Sequence, residues 1–361
     1  MKSWPILLLI ALIGTSCNTQ KKQSSWNELD DFFQSEFKED APGASVLISI
    51  NDSVVFQHSY GLADLIHREP VTPQTLFNLG SVSKTFVAYG ILLLRDEGRL
   101  SLNDSLIKYF PEFKHPEIAQ KVRIIHLLTH TSGLPDLRKI KEDSVFYLTA
   151  KDEENWAPVM QAGELNFEPG SQFEYSNPAF NALALIIEKV SGEKWQDFIR
   201  KRIFLPAGMT YSTITDGPHP ESGVAHGYIF SRGQWIEKDY GEEPTFAAAG
   251  NGGVWSSVND LLNYEKALRK STFITAQTIA ESQQPYRFEN WSAPYEPYIG
   301  LSWFIRQTNK GLKIIEHTGT QGGFYCHYVS VPEKKFLYVI LANRPFNRDK
   351  AFEEVMKRLT R

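Results

Sequence analysis

Two cysteines in 361 residues, Cys17 and Cys326, exclude a disulfide-stapled scaffold, so the chain must hold itself together through an apolar core. No run of apolar residues is long enough to span a bilayer as a helix. Long runs of one charge are also missing. With 38 basic against 42 acidic residues the net charge is −4, the wrong footprint for a nucleic-acid binder. Neither a G-x-S-x-G nucleophile elbow nor an H-E-x-x-H metal helix occurs, and there is no internal repeat or low-complexity tract. What is present, 42% hydrophobic and 13% aromatic residues, suffices for a large core at a length where cores begin to divide into lobes.

The N-terminus carries Lys2, an apolar segment from Pro5 to Ile13, and the small residues Gly14-Thr15-Ser16 before Cys17, which reads as a secretory signal over residues 1–16. Small residues directly before a cysteine resemble a bacterial lipobox, although Gly14 stands where that pattern prefers leucine. The resemblance implies a lipidated Cys17 followed by a polar tether over residues 17–25. The expectation is an exported protein of the bacterial cell envelope, held to a membrane by lipid. If cleavage near Ser16 leaves no lipid, it is periplasmic or secreted. Cys326 is then unpaired and reads as a small buried apolar residue.

Beyond the tether, Ser25 is placed to cap a helix with Trp26, Leu29, Phe32, Phe33 and Phe37 on one side. Two strands, Ala44 to Ile50 and Val54 to Tyr60, follow as a hairpin through Asn51-Asp52-Ser53. From Ser81 to about Gln284 helical patterns dominate: Val82 to Glu97, Val122 to Leu128, Pro178 to Val190, Trp195 to Ile203 and Asp260 to Leu268. Strand patterns return over Tyr298 to Arg306, Leu312 to His317, Phe324 to Val331 and Phe336 to Asn343, and a last helix covers Asp349 to Leu359. Both ends therefore carry strands and helices that need a face to cover. This predicts an α+β fold: one antiparallel sheet flanked by N- and C-terminal helices, with a mostly helical lobe inserted. The sheet lobe is expected over about 26–80 and 295–361, the helical lobe over about 81–294, within one domain over 26–361.

Chemistry concentrates at Gly80-Ser81-Val82-Ser83-Lys84. On a helix Ser81 and Lys84 share a face. The following run to Leu94 is apolar nearly all round, so the lysine is buried and holds its proton weakly, as a general base requires. The helix start favours developing negative charge. Ser-x-x-Lys occurs four times, at Ser35, Ser81, Ser105 and Ser191, but only Ser81 begins a long buried helix after a glycine. Two further segments stand out. Tyr175-Ser176-Asn177 precedes a proline suited to a helix start, where Ser176 or Asn177 could cap the helix, or Tyr175 and Asn177 could project into a cleft. His317-Thr318-Gly319-Thr320 ends a strand before a glycine turn, leaving room for a ligand along the backbone or forming a plain hairpin loop.

Taken together and in this order, Ser-x-x-Lys, Tyr-x-Asn and His-Thr-Gly resemble the penicillin-recognising serine hydrolases, specifically class C β-lactamases, DD-peptidases and esterase relatives. The segments around Phe77, Leu127 to Pro135 and Ala249 to Ser257 carry the likeness as well. It implies Ser81 as the acylated nucleophile, Lys84 with Tyr175 as its base system, and Asn177, His317, Thr318 and Gly319 as substrate contacts. The backbone N–H groups of Ser81 and Thr320 would form the oxyanion hole. His317 stands where the lactamases have lysine, which argues against a β-lactam carboxylate and for neutral esters, since histidine is mostly neutral at pH 7. DD-peptidase and class C-type lactamase activity remain alternatives, as does a penicillin-binding sensor without turnover. The substrate is a small molecule or peptide; no cofactor, metal or nucleic acid is implied, and no protein partner is inferred. His126 and His130, four apart, lack a third metal ligand and are read as structural.

Overall fold

A computed structural model describes residues 26–138, 146–214, 223–237, 247–288, 298–308 and 311–359. The signal sequence, Cys17, the tether and Ser25 lie outside the described residues.

The hairpin and the C-terminal meander form one sheet of seven strands, in agreement with the expected fold class. Its strands are β1 (Ala44–Ile50), β2 (Ser53–Tyr60), β3 (Tyr298–Ile299), β4 (Phe304–Gln307), β5 (Lys313–Gln321), β6 (Phe324–Val331) and β7 (Phe336–Ala342). They are ordered β3-β4-β5-β6-β7-β1-β2, every neighbour antiparallel. Asn51 and Asp52, both at positive φ, make a two-residue turn, and Ser53 already pairs with Ile50.

Strand alternation feeds two cores. Val46, Ile48, Tyr338 and Ile340 point to one face and meet Leu29 and Phe33 of helix α1 (26–36) and Phe37 just after it, with Ala351 and Val355 from the C-terminal helix. Leu47, Val339 and Leu341 point to the other face, where helix α2 (Ser83–Asp96) is buried from Ser83 to Leu94. Helices α3 (Asn177–Ser191), α4 (Val258–Arg269) and α5 (Arg348–Leu359) complete the longer elements. Because both faces are covered, the central strands read as unbroken apolar runs.

Three expectations need correction. The segment from Tyr298 to Arg306 is not one strand: β3 and β4 fold back on each other across a turn in which Ser302 has φ 72°. The apolar residues Leu301 and Trp303 are buried in that turn, which is why it looked like strand. β5 runs on to Gln321, so His-Thr-Gly lies inside a strand instead of ending it. The Trp195 helix gives way to a π-turn over Arg200–Phe204.

Candidate active site

A 3₁₀ turn, Gly80–Val82, leads into α2 and carries Ser81 to the rim of the sheet. It is fixed from two sides. Asn78 Oδ1 accepts the N–H of Gly80 (2.8 Å), and Ser83 Oγ accepts the N–H of Val254 (3.0 Å) from the short strand Val254–Ser256. The backbone of β5 lies directly against this turn. A Cβ on Gly80 would sit 2.8 Å from Thr320 N, and one on Gly319 would sit 1.9 Å from Leu79 O and 3.3 Å from Ser81 N. Only glycine admits that approach, and Gly80 also has φ +50°. The main chains of Ser81 and Thr320 are thereby brought to one place beside the Ser81 hydroxyl.

Lys84, one turn into α2, is fully buried, and its Nζ has three neutral neighbours: Ser81 Oγ at 3.0 Å, Asn177 Oδ1 at 2.9 Å and the Asn251 carbonyl at 2.7 Å. Burial, reinforced by the Arg138 guanidinium, holds its amine well below the usual lysine range. The competing serines have no such partner. Ser35 Oγ donates to Phe32 O, Ser191 bonds within its own turn, Lys108 pairs with Asp104, and Lys194 pairs with Glu188.

At the N-terminus of α3 the alternatives separate. Ser176 is the cap, its Oγ accepting from Ala179 N at 3.3 Å, which leaves Asn177 to meet Lys84. Pro178 follows at the position where a missing N–H costs nothing. The Tyr175 ring lies 5.1 Å from Lys84 Nζ, between His130 (centroids 4.3 Å apart) and Phe304 (6.4 Å). Sequence reasoning passed over His130 as structural and Phe304 altogether. His130, at φ 56°, has Nδ1 accepting from Ser176 N at 3.0 Å, and His126 Nδ1 accepts from Arg123 N at 3.1 Å.

His317 is buried, its Nδ1 donating to Thr318 O at 2.7 Å. Burial pushes it down to about 3. The partial charge expected of an ordinary histidine is therefore absent near pH 7. A cation that the motifs did not reveal stands nearby: Arg348, whose Nη1 donates to Gly319 O (3.0 Å) and Thr320 Oγ1 (3.1 Å). β4 pairs with β5 only from Lys313 to Glu316, so among the described residues the stretch from His317 to Gln321 has no strand partner on that side.

The beta-lactamase family model matches residues 29–359. Penicillin-binding protein 4* of Bacillus subtilis is 29% identical over 349 residues, covering 93% of this chain and 75% of that protein. Protein flp of Staphylococcus aureus is 28% identical over 316 residues, covering 84% of this chain but 59% of its own length. An octameric penicillin-binding protein homologue from Pyrococcus abyssi superposes with a TM-score of 0.78 at 27% identity, over 92% of this chain and 75% of that one. The D-amino acid amidase of Ochrobactrum anthropi shares the fold, with a TM-score of 0.74 at 20% identity over 94% and 99% of the two chains. The chain belongs to the beta-lactamase family, serine hydrolases of the penicillin-binding-protein fold.

Proposed function

We propose that this chain is an exported hydrolase that passes through an acyl-enzyme on Ser81 and prefers neutral esters. The observation that carries the reading is the buried Lys84 amine 3.0 Å from Ser81 Oγ with only neutral hydrogen-bonding neighbours, since an uncharged amine in that place can take the hydroxyl proton. Ser81 Oγ attacks the substrate carbonyl as Lys84 accepts the proton, and the N–H groups of Ser81 and Thr320 receive the negative oxygen. Tyr175 gives its hydroxyl proton to the leaving alcohol and takes the serine's proton back from the Lys84 ammonium, so both groups regain their starting states. Asn177, which holds Lys84 in the resting site, contacts the acyl side chain. Water then hydrolyses the ester on Ser81.

The preference for neutral esters rests on His317, which offers no charge to a substrate carboxylate near pH 7 and leaves that contact to Arg348, whose Nη1 is already engaged by Gly319 O and Thr320 Oγ1. A D-peptide reading has its own support in the unpaired edge from His317 to Gln321, where an extended chain could add as a strand. Lipid on Cys17 would keep the enzyme at a membrane.

The test is labelling with a fluorophosphonate and with a fluorescent penicillin, each followed over time and mapped by mass. Label on Ser81, lost in Ser81→Ala, is the expected result; decay of the label reports turnover. Label on Ser35, Ser105 or Ser191 overturns the assignment.

A further inference from the structure

Lys84 does not reach its third neighbour by chance of packing. The Asn251 carbonyl sits in a loop, 247–253, that is tied to two other elements at a single buried carboxyl. Oδ1 of Asp152, on the short helix Asp152–Trp156, accepts the N–H of Gly250 at 2.8 Å and Nδ2 of Asn181 at 2.7 Å. Asn181, on α3, donates in turn to Asn251 Oδ1 at 3.1 Å. Asp152 and Asn251 are both buried, and Asn181 is fully so.

We propose that Asp152 is a positioning residue for the base: by gripping Gly250 and Asn181 together it sets where the Asn251 carbonyl stands, and so holds Lys84 Nζ against Ser81. The role rests on the reading of Lys84 as base. It has a direction. Without Asp152, Gly250 N–H and the Asn181 amide lose their buried acceptor and the loop is freed to shift. Lys84 then loses alignment and a carbonyl that favours its ammonium form, so its apparent pKa falls while its rate falls with it. The charged and titratable groups around them stay in place: Glu153 and Glu188 beside Asp152, with Lys151 and Lys194 lining the adjoining cavity. Around Lys84 they are Arg138, His130 and His317, and Tyr175 lies against it.

The experiment measures p-nitrophenyl acetate hydrolysis against pH for the full chain, Asp152→Ala and Asp152→Asn, with rates expressed per active site titrated by a fluorophosphonate. Asp152→Ala should lower kcat per site by about tenfold or more and move the acid limb to lower pH. Asp152→Asn keeps an acceptor oxygen and should stay within about threefold of the parent. Asn181→Ala, which retains Asp152, should copy the alanine variant and add little to it in the double variant, and it carries the test if Asp152→Ala does not fold. A per-site rate and acid limb unchanged in the alanine variants, whatever their melting temperature, overturns the positioning role, as do fully additive losses. If the parent protein takes no label at Ser81, the serine–lysine reading fails first; label at Ser81 with an unmoved pH profile removes the role of Asp152 alone.

Discussion

His130 lies face to face with Tyr175, ring centroids 4.3 Å apart and planes 26° from parallel, while its Nδ1 accepts the N–H of the next residue, Ser176. One imidazole thus sets both the plane of the tyrosine and the course of the chain into α3. Because Nδ1 accepts, the ring proton is on Nε2, and burial keeps His130 neutral, well below the usual histidine range. His130→Phe preserves a stacking ring but removes the acceptor. It should cost about 1 kcal/mol in denaturant unfolding, the low end for an N–H that loses its acceptor, since Ser176 is only half-buried. His130→Ala removes both and should also depress kcat. Wild-type stability in the phenylalanine variant would show that the Ser176 bond contributes nothing.

Acid should weaken the fold earlier than carboxylate protonation alone would. Burial pushes His126 down to about 4, His317 to about 3, and His130 down as well. Unfolded, each gains a proton below about pH 6.5, so the unfolded state binds more protons there. Stability is then lost as pH falls, at up to about 1.4 kcal/mol per pH unit for each histidine. Asp152, pushed up to about 8 by burial, works the other way, its folded form keeping a proton that the unfolded chain has released, and offsets about one histidine between pH 6.5 and 4. The urea midpoint should therefore be lower at pH 5 than at pH 7.5, and His126→Asn should flatten the difference. Equal midpoints at the two pH values would contradict this account.

Arg348, not His317, is expected to govern the response to a substrate carboxylate. Arg348→Gln should cut kcat/KM for a chromogenic cephalosporin by about 5- to 30-fold, the worth of a charge-assisted contact, and that for a neutral nitrophenyl ester by less than about threefold. His317→Lys would bury an ammonium and should lower stability without raising the cephalosporin-to-ester ratio. A ratio that rises in His317→Lys, or stays fixed in Arg348→Gln, reverses the assignment.

Cys17→Ser should move the protein from the membrane fraction to the soluble one, if lipid on that cysteine is its anchor. A wild-type protein already soluble after fractionation would dispose of the anchor.

Much of this was legible because local pattern and tertiary burial agree. β1 and β6 fall where the apolar runs place them, and α2 follows Gly80 as its all-apolar face required. β5 was read short because Gly319 looks like a breaker; the glycine is instead what lets Leu79 lie against the strand. Ser81, Lys84, Tyr175 and Asn177 were picked out by the resemblance of their three motifs together, and the fold brings them to one place. Arg348 and Asp152 were not, since each reaches the site through contacts between segments far apart in the chain. An arginine at a helix start and an aspartate before Glu-Glu carry no local mark of what they will meet.

The middle of the sheet joins the first strand to the last. β1 pairs with β7 along its whole length, and Gly43 N donates to Asn343 Oδ1, 300 residues away. A chain lacking its final strand leaves β1 paired with β2 alone and cut off from β3 to β6, so neither core can close around α1 or α2. Folding must therefore wait for almost the entire polypeptide, a high-contact-order route that is slow by topology. Until Ala342 has emerged the chain stays open and threadable, and a deletion of the last two dozen residues should leave no smaller folded remnant.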